Sequence, residues 1–314
     1  MRAVAATGSR SGTYVSAARQ ERAHRIHRTL VGLAFCAPAI IGLLAFNAYP
    51  ILSSLYLSFT DYNGVSQPVW VGLDNYVQMF SEDPVFWHAL SNTLFYAAFA
   101  LPAGIIVSFG LATLLNLPLR GVSVLRALFY IPSIVPLVAT AMIWLLIFNP
   151  QFGLINTLLA MIGIVGPGWL SDPNWSKPSL VILSLWGVGG TMLIFLAGLQ
   201  DVPQDMYDAA ALDGANAFHQ YVHITIPMMG PYILFSVITG LIGAFQYFTQ
   251  AQIMTQGGPA DSTRLYSLYL YDNAFIFHKL GYASAMAWVL FMLVAAISFV
   301  VFRSAARHVY YHGE

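Results

Sequence analysis

The sequence predicts an all-α polytopic membrane protein with six transmembrane helices, on three observations. Of its 314 residues, 58% are hydrophobic and only 8% charged, against roughly a quarter charged in an ordinary soluble domain. Apolar runs long enough for a span, which takes about 20 residues, recur near 30–55, 89–116, 124–148, 178–199, 230–254 and 281–303. The basic residues also fall on alternate connections between those runs, as the positive-inside bias requires. The 13 basic and 13 acidic residues cancel, so no overall field gathers nucleic acid.

Residues 1–28 are polar, with Arg10, Arg19, Arg22, Arg25 and Arg28, and read as a cytoplasmic tail ahead of a membrane domain over 29–312. The run Leu30 to Phe59 is too long for the apolar part of a secretory signal, so it is an uncleaved first span. It holds the single cysteine, Cys36, which rules out an internal disulfide and reads as a buried, inert thiol. With the N-terminus inside, cytoplasmic segments hold Arg2, Arg10, Arg19, Arg22, Arg25, Arg28, Arg120, Arg126, Arg303 and Arg307. The outer loops, 56–88, 149–177 and 255–280, hold only Lys177, Arg264 and Lys279, together with acids and many aromatics. Prolines at 38, 50, 102, 132 and 136 predict kinks, because each removes a ladder donor and crowds the preceding turn. In the fourth span, Trp186 with Gly187, Gly189, Gly190 and Thr191 is a candidate cavity wall, glycines allowing backbone or ligand to approach closely. Core packing fits those residues equally.

The connection after the fourth span, 200–229, is no simple turn. Asp201 with Gln204 has capping-box spacing, and a first helix is predicted to run to Asp213, where Gly214 supplies a left-handed stop. Phe218, Tyr221, Val222 and Thr225 then recur at three and four residues and predict a second short helix with an aromatic stripe. Such aromatics are typical anchors for a protein partner. A helix lying on lipid would carry Lys or Arg on its polar face, and this loop has neither. His219 and His223, four apart, share a face as a metal pair would, but no H-E-x-x-H sequence or nearby cysteine supports that, and a solvated face is preferred. In the fifth span, Ser236, Thr239, Gly243, Gln246 and Gln250 step by three and four and predict one polar stripe. Its lower half suits helix packing; Gln246, Tyr247 and Gln250 suit solute.

The span interiors hold no Asp, Glu, Lys or Arg. An ion-coupled secondary transporter keeps such groups at membrane depth, and an intramembrane enzyme needs a catalytic pair; neither is visible. There is also no phosphate-cradling G-x-x-x-x-G-K-[ST] loop. Energy from nucleotide must come from another polypeptide, and no metal or cofactor is expected in this chain.

Asp208-Ala209-Ala210, Gly214 after three residues, Ile224 and Ile226-Pro227 resemble the E-A-A…G…I-x-L-P loop of ABC importer permeases. "TQGGPADST" at 255–263, "YPILSSLYLSFTDYNG…WVGLDNY", "KLGYASAMAWVLF" and "HVYYHGE" resemble the carbohydrate-uptake group, closest to its maltose-type first permease subunit, over about residues 30 to 312. The resemblance implies the fold of a type I importer permease in a bacterial inner or plasma membrane, with both termini cytoplasmic. It implies that the loop, through Asp208, Ala209, Ala210, Asp213, Gly214, Phe218, Tyr221, Ile224 and Pro227, couples to cytoplasmic ATP-binding subunits. A homologous second permease would complete a heterodimeric pathway, and an extracytoplasmic binding protein would deliver a sugar. The family usually has Glu where this chain has Asp208, which shortens that carboxylate's reach. Gln246, Tyr247, Gln250, Trp186 and Thr239 are the pathway candidates, uncharged amides and an aromatic suiting a sugar's hydroxyls and apolar face. A secondary transporter of small neutral solutes is the alternative.

Overall fold

The computed structural model describes residues 10–118 and 120–305, with side chains from 27 onward. Arg2, Arg307 and the closing "HVYYHGE", and the side chains of Arg10, Arg19, Arg22 and Arg25, lie outside that description. The chain divides into two compact units, one through Tyr56 and one from Leu57.

In the first unit, α1 (Arg10–Leu43) passes through a π-helical turn, Leu44–Ala48, into α2 (Tyr49–Leu57). The Tyr49 N–H bonds back five residues to Leu44 O. This wider turn lies immediately ahead of Pro50, whose ring and missing donor do not fit an ordinary ladder. The 31 residues from His27 to Leu57 are long and apolar enough to cross a membrane. The helix already begins at Arg10, so the polar stretch ahead of the span is helical from there. Cys36 is exposed rather than buried: the unit is one helical run, and offers that side chain nothing of its own to be buried against.

The second unit opens with the described residues' one ladder, in which β1 (Thr60–Asp61) pairs antiparallel with β2 (Val69–Trp70) and Thr60 stands opposite Trp70. After α3 (Asp74–Val77) and a π-helical turn, Asp83 starts α4 (Pro84–Leu115) earlier than the apolar run predicts. Its Oδ1 accepts the N–H groups of Val85 (2.9 Å) and Phe86 (3.1 Å), with Pro84 in the first turn.

α5 (Val122–Ile134) and α6 (Leu137–Ile147) form one apolar run bent by 100°. The cause is local: Pro136 holds Val135 extended, at φ −70° and ψ 132°. After α7 (Leu154–Met161), α8 (Pro173–Trp186) and α9 (Gly189–Gln200) form a second pair, bent by 49°. The elbow follows as α10 (Gln204–Leu212), α11 (Ala217–Gln220) and α12 (Ile226–Met228), then α13 (Gly230–Phe245) and α14 (Thr249–Met254), α15 (Tyr266–Tyr271) and α16 (Leu280–Ala305). Among the described residues, four stretches cross uninterrupted by length and composition, and the two bent pairs bring the number to six. The six predicted runs are thus four continuous helices and two bent pairs, six spans where each pair counts as one.

Lipid is as apolar as leucine, so these helices are held by close packing and internal hydrogen bonds. α4 lies at the centre, contributing to all three buried clusters: with α6, α8 and α13; with α15 and α16; and with α9 and Met229. α9 approaches α5 backbone to backbone, since a Cβ on Gly189 would lie 2.2 Å from Phe129 O. Asn92 ties α4 to two further segments, its Nδ2 donating to Asp261 O (2.9 Å) and Arg264 O (3.2 Å) while its Oδ1 accepts from Lys177 (3.0 Å). Lys177, assigned to an outer loop from composition, thus sits inside α8, its ammonium 5.0 Å from the Phe95 ring centroid. Lys177 is half-buried, and its ammonium is held by both groups.

Candidate functional site

The elbow between α9 and α13 is two short helical limbs stapled together. α10 ends in a Schellman motif: Ala215 N–H bonds to Ala210 O (2.9 Å) and Gly214 N–H to Ala211 O (3.1 Å), with Gly214 at φ +83°. Asn216 then caps α11 by accepting the His219 N–H at 2.9 Å. The Tyr207 hydroxyl meets Thr225 Oγ1 at 2.9 Å, joining the limbs. Asp201 is not the predicted N-cap. It closes α9, and its carboxylate accepts the Tyr232 hydroxyl at 2.5 Å, so α10 begins behind Pro203 with no side-chain cap.

The predicted aromatic stripe is divided. A π-helical turn, Tyr221–Thr225, rotates Tyr221 inward, where its ring stacks on Phe109 (centroids 6.0 Å apart) and its hydroxyl reaches Thr113 at 3.3 Å, both on α4. Phe218 stays 72% exposed and Leu212, which periodicity did not single out, 90% exposed. Asp208, Ala209, Asp213 and Gly214 are exposed; Ala210, Ile224 and Pro227 are half-buried. Asp208 Oδ1 accepts from Gln204 at 3.2 Å. The His219 and His223 rings stack 5.7 Å apart, and a His223 ring nitrogen engages His219 O. The elbow therefore presents two strongly exposed apolar side chains, Leu212 and Phe218, with Met206, Val222 and Ile226 less so, and three carboxylates, Asp205, Asp208 and Asp213, on a scaffold braced against α4.

Farther along the same helices lies a cavity of about 380 Å³, bounded by α4, α8, α9, α13 and α14. Its polar lining includes Tyr96, Ser184, Thr191, Ser236, Tyr247 and Gln250, and it contains no acid, base or histidine. Two of the five predicted pathway residues are here, Tyr247 and Gln250. Gln246, Thr239 and Trp186 are not part of the lining. The reason is a break in the fifth span: α13 ends at Phe245, and Phe248 leaves the helical region at φ −133°, so the stripe loses phase and Gln246 turns outward. Thr239 instead bonds back to Phe235 O at 2.8 Å. Trp186 packs edge-on against Trp144, with centroids 6.2 Å apart, while its neighbours Gly187, Val188 and Thr191 reach the cavity. Tyr96, whose ring lies 4.4 Å from that of Tyr247, escaped the sequence reading. Its only signal was a tyrosine in a charge-free span.

The other end of the bundle carries paired charges. Asp83 Oδ2 accepts two phenols, from Tyr269 (2.6 Å) and Tyr282 (2.5 Å). Burial, reinforced by Asp83, pushes the Tyr269 phenol up to about 12. Arg264 pairs with Asp261 (2.7 Å) and Asp272. Burial raises Asp272 above the usual carboxylate range, and Arg264 opposes that rise.

A model of the family described as binding-protein-dependent transport system inner membrane component matches residues 100–309. Among curated relatives, the probable ABC transporter permease protein YesP of Bacillus subtilis (strain 168) is 41% identical, covering 91% of this chain and 93% of its own length. The lactose transport system permease protein LacF of Rhizobium radiobacter is 38% identical, covering 87% and 93%. A chain in the crystal structure of a bacterial ABC transporter involved in the import of the acidic polysaccharide alginate has a TM-score of 0.81 at 22% identity, covering 91% of this chain and 99% of its own, a likeness of fold. The bent spans, the braced elbow and the cavity are thus those of an inner-membrane permease subunit of a binding-protein-dependent ABC importer, the family to which this multi-pass chain belongs.

Proposed function

We propose that this subunit forms half of the pathway for a neutral sugar or sugar-like solute and receives its power stroke through the 204–228 elbow. The observation that carries this reading is the cavity chemistry: hydroxyls, one amide and two tyrosines in ring contact, with no carboxylate, ammonium, guanidinium or imidazole, on the helices that also bear the elbow. Sugar hydroxyls need neutral donors and acceptors, and aromatic faces suit the apolar side of a sugar ring. The names of the lactose and trehalose/maltose relatives support the same solute class.

A homologous second permease completes the pathway, an extracytoplasmic binding protein delivers the solute, and cytoplasmic ATP-binding subunits hydrolyse ATP; this chain is itself no enzyme. The elbow and both termini lie in the cytoplasm, and the charged end around Asp83 and Arg264 lies outside. Through Leu212, Phe218 and the surrounding acids the elbow is gripped, and ATP-driven closure rocks the bundle between outward and inward openings. The shorter Asp208 leaves the apolar contacts to provide most of the grip.

The test is copurification of the assembled transporter, followed by ATP hydrolysis in vesicles with lactose, maltose or trehalose on its binding protein. Solute-stimulated hydrolysis is the expected result, with Gln250→Ala lowering uptake several-fold. Uptake by this chain alone, driven by an ion gradient, would instead establish a secondary transporter.

A further inference from the structure

Leu101 lies beside Gly240 and Tyr96 against Tyr247, so α4 and α13 run antiparallel along the cavity. From Ser236 to Phe245, where α13 ends just before Tyr247, is nine residues, or about 14 Å of helix at 1.5 Å per residue. The polar lining is gathered at the two ends of that distance. Tyr96, Ser184, Tyr247 and Gln250 stand at the far end; Ser108, Thr191 and Ser236 stand at the end nearer the elbow. Between them the wall is apolar, with Leu101, Ile105 and Val188 beside Ala100, Gly104 and Gly243, and a Cβ added to Gly104 or Gly243 would meet nothing within 4 Å. The stretch between therefore offers a solute no hydrogen-bonding side chain.

Ser236 is 4% exposed, and its hydroxyl has no partner. A buried hydroxyl left unpaired is costly, and the cavity is the open space beside it. We infer that Ser236 forms, with Thr191 and Ser108, a second hydroxyl-binding station on the elbow side, to which a neutral solute passes from Tyr247 and Gln250 before release. Two moderate sites in series hold a solute firmly enough to admit it and weakly enough to let it leave. This inference rests on the sugar-pathway reading above.

The chain's single cysteine makes the test direct. In the assembled transporter in vesicles, on a Cys36→Ser background, Ser236→Cys is treated with 2-hydroxyethyl methanethiosulfonate, a neutral polar thiol reagent. Ala112→Cys, at a fully buried position of α4 away from the cavity, is the control. Ser236→Cys should react at least tenfold faster than Ala112→Cys, and should be slowed at least threefold by whichever of lactose, maltose or trehalose those vesicles import. Equal rates at the two positions, or no slowing by an imported sugar, overturn the station. Failure to import any of the three counts against the proposed function, while the rate comparison still decides whether the elbow-side cavity is open to polar solutes.

Discussion

Asp83 uses both carboxylate oxygens, one on the first two free N–H groups of α4 and the other on the phenols of Tyr269 and Tyr282. A helix cap is worth about 1 kcal/mol, and a hydrogen bond to a charged group roughly 1.5–3 kcal/mol. Asp83→Ala is therefore expected to destabilise the second unit by about 2–4 kcal/mol, with shared partners keeping the sum below full additivity. Asp83→Asn, which can still cap, should lose about half as much; denaturant unfolding in detergent measures both. The pH dependence has a definite sign. The folded Tyr269 phenol is raised to about 12 from about 10 in an unfolded chain, so above pH ~10 the folded state holds the proton more tightly. This contribution is whole below pH ~10 and disappears as pH rises towards ~12; Tyr269→Phe should flatten that part of the stability curve. The sequence showed Asp83 only as one acid of an outer loop. Its partners lie 186 and 199 residues away, beyond any local pattern.

The elbow was the most readable element because its rules are local. Gly214 at φ +83° and the 6→1 and 5→2 bonds before it follow from a glycine placed after a helical run. Gly214→Val places a β-branched residue where L side chains are strained by roughly 1–2 kcal/mol. It should unravel the end of α10 and lower uptake at least tenfold, while the amount of protein in the membrane stays normal. Undiminished uptake by this variant would remove the coupling role. Replacing Phe218 by Ser should weaken copurification of the ATP-binding subunits about tenfold without altering insertion, since a buried aromatic anchor is worth about 2 kcal/mol or more. The Asp201 cap was misread because Tyr232, 31 residues on, claims the carboxylate first. The break in the fifth span was equally hidden, for 246–248 holds no proline or glycine. There Tyr247 packs on Tyr96, and the Phe248 ring lies 4.9 Å from that of Tyr271.

For the whole molecule, the arrangement of spans predicts that the elbow and the 255–264 loop lie on opposite sides of the membrane. A reporter active only in the cytoplasm should work when fused after Gly214 and fail after Ala260; the reverse result would invert the topology. What the sequence determined by itself was the solvent and the layout: a membrane protein, six apolar stretches, arginines gathered on alternate connections and a glycine-stopped elbow. Each of these depends on composition or on neighbours within a turn or two, so a linear string carries it. The tertiary structure alone decided where the polar groups go: Lys177 to Asn92, Asp83 to two tyrosines, Ser236 to an open wall, and Gln246 and Thr239 away from it. The physical reason is that a polar group withdrawn from water is stabilised by a partner, and whether and where it finds one depends on which distant helix packs beside it.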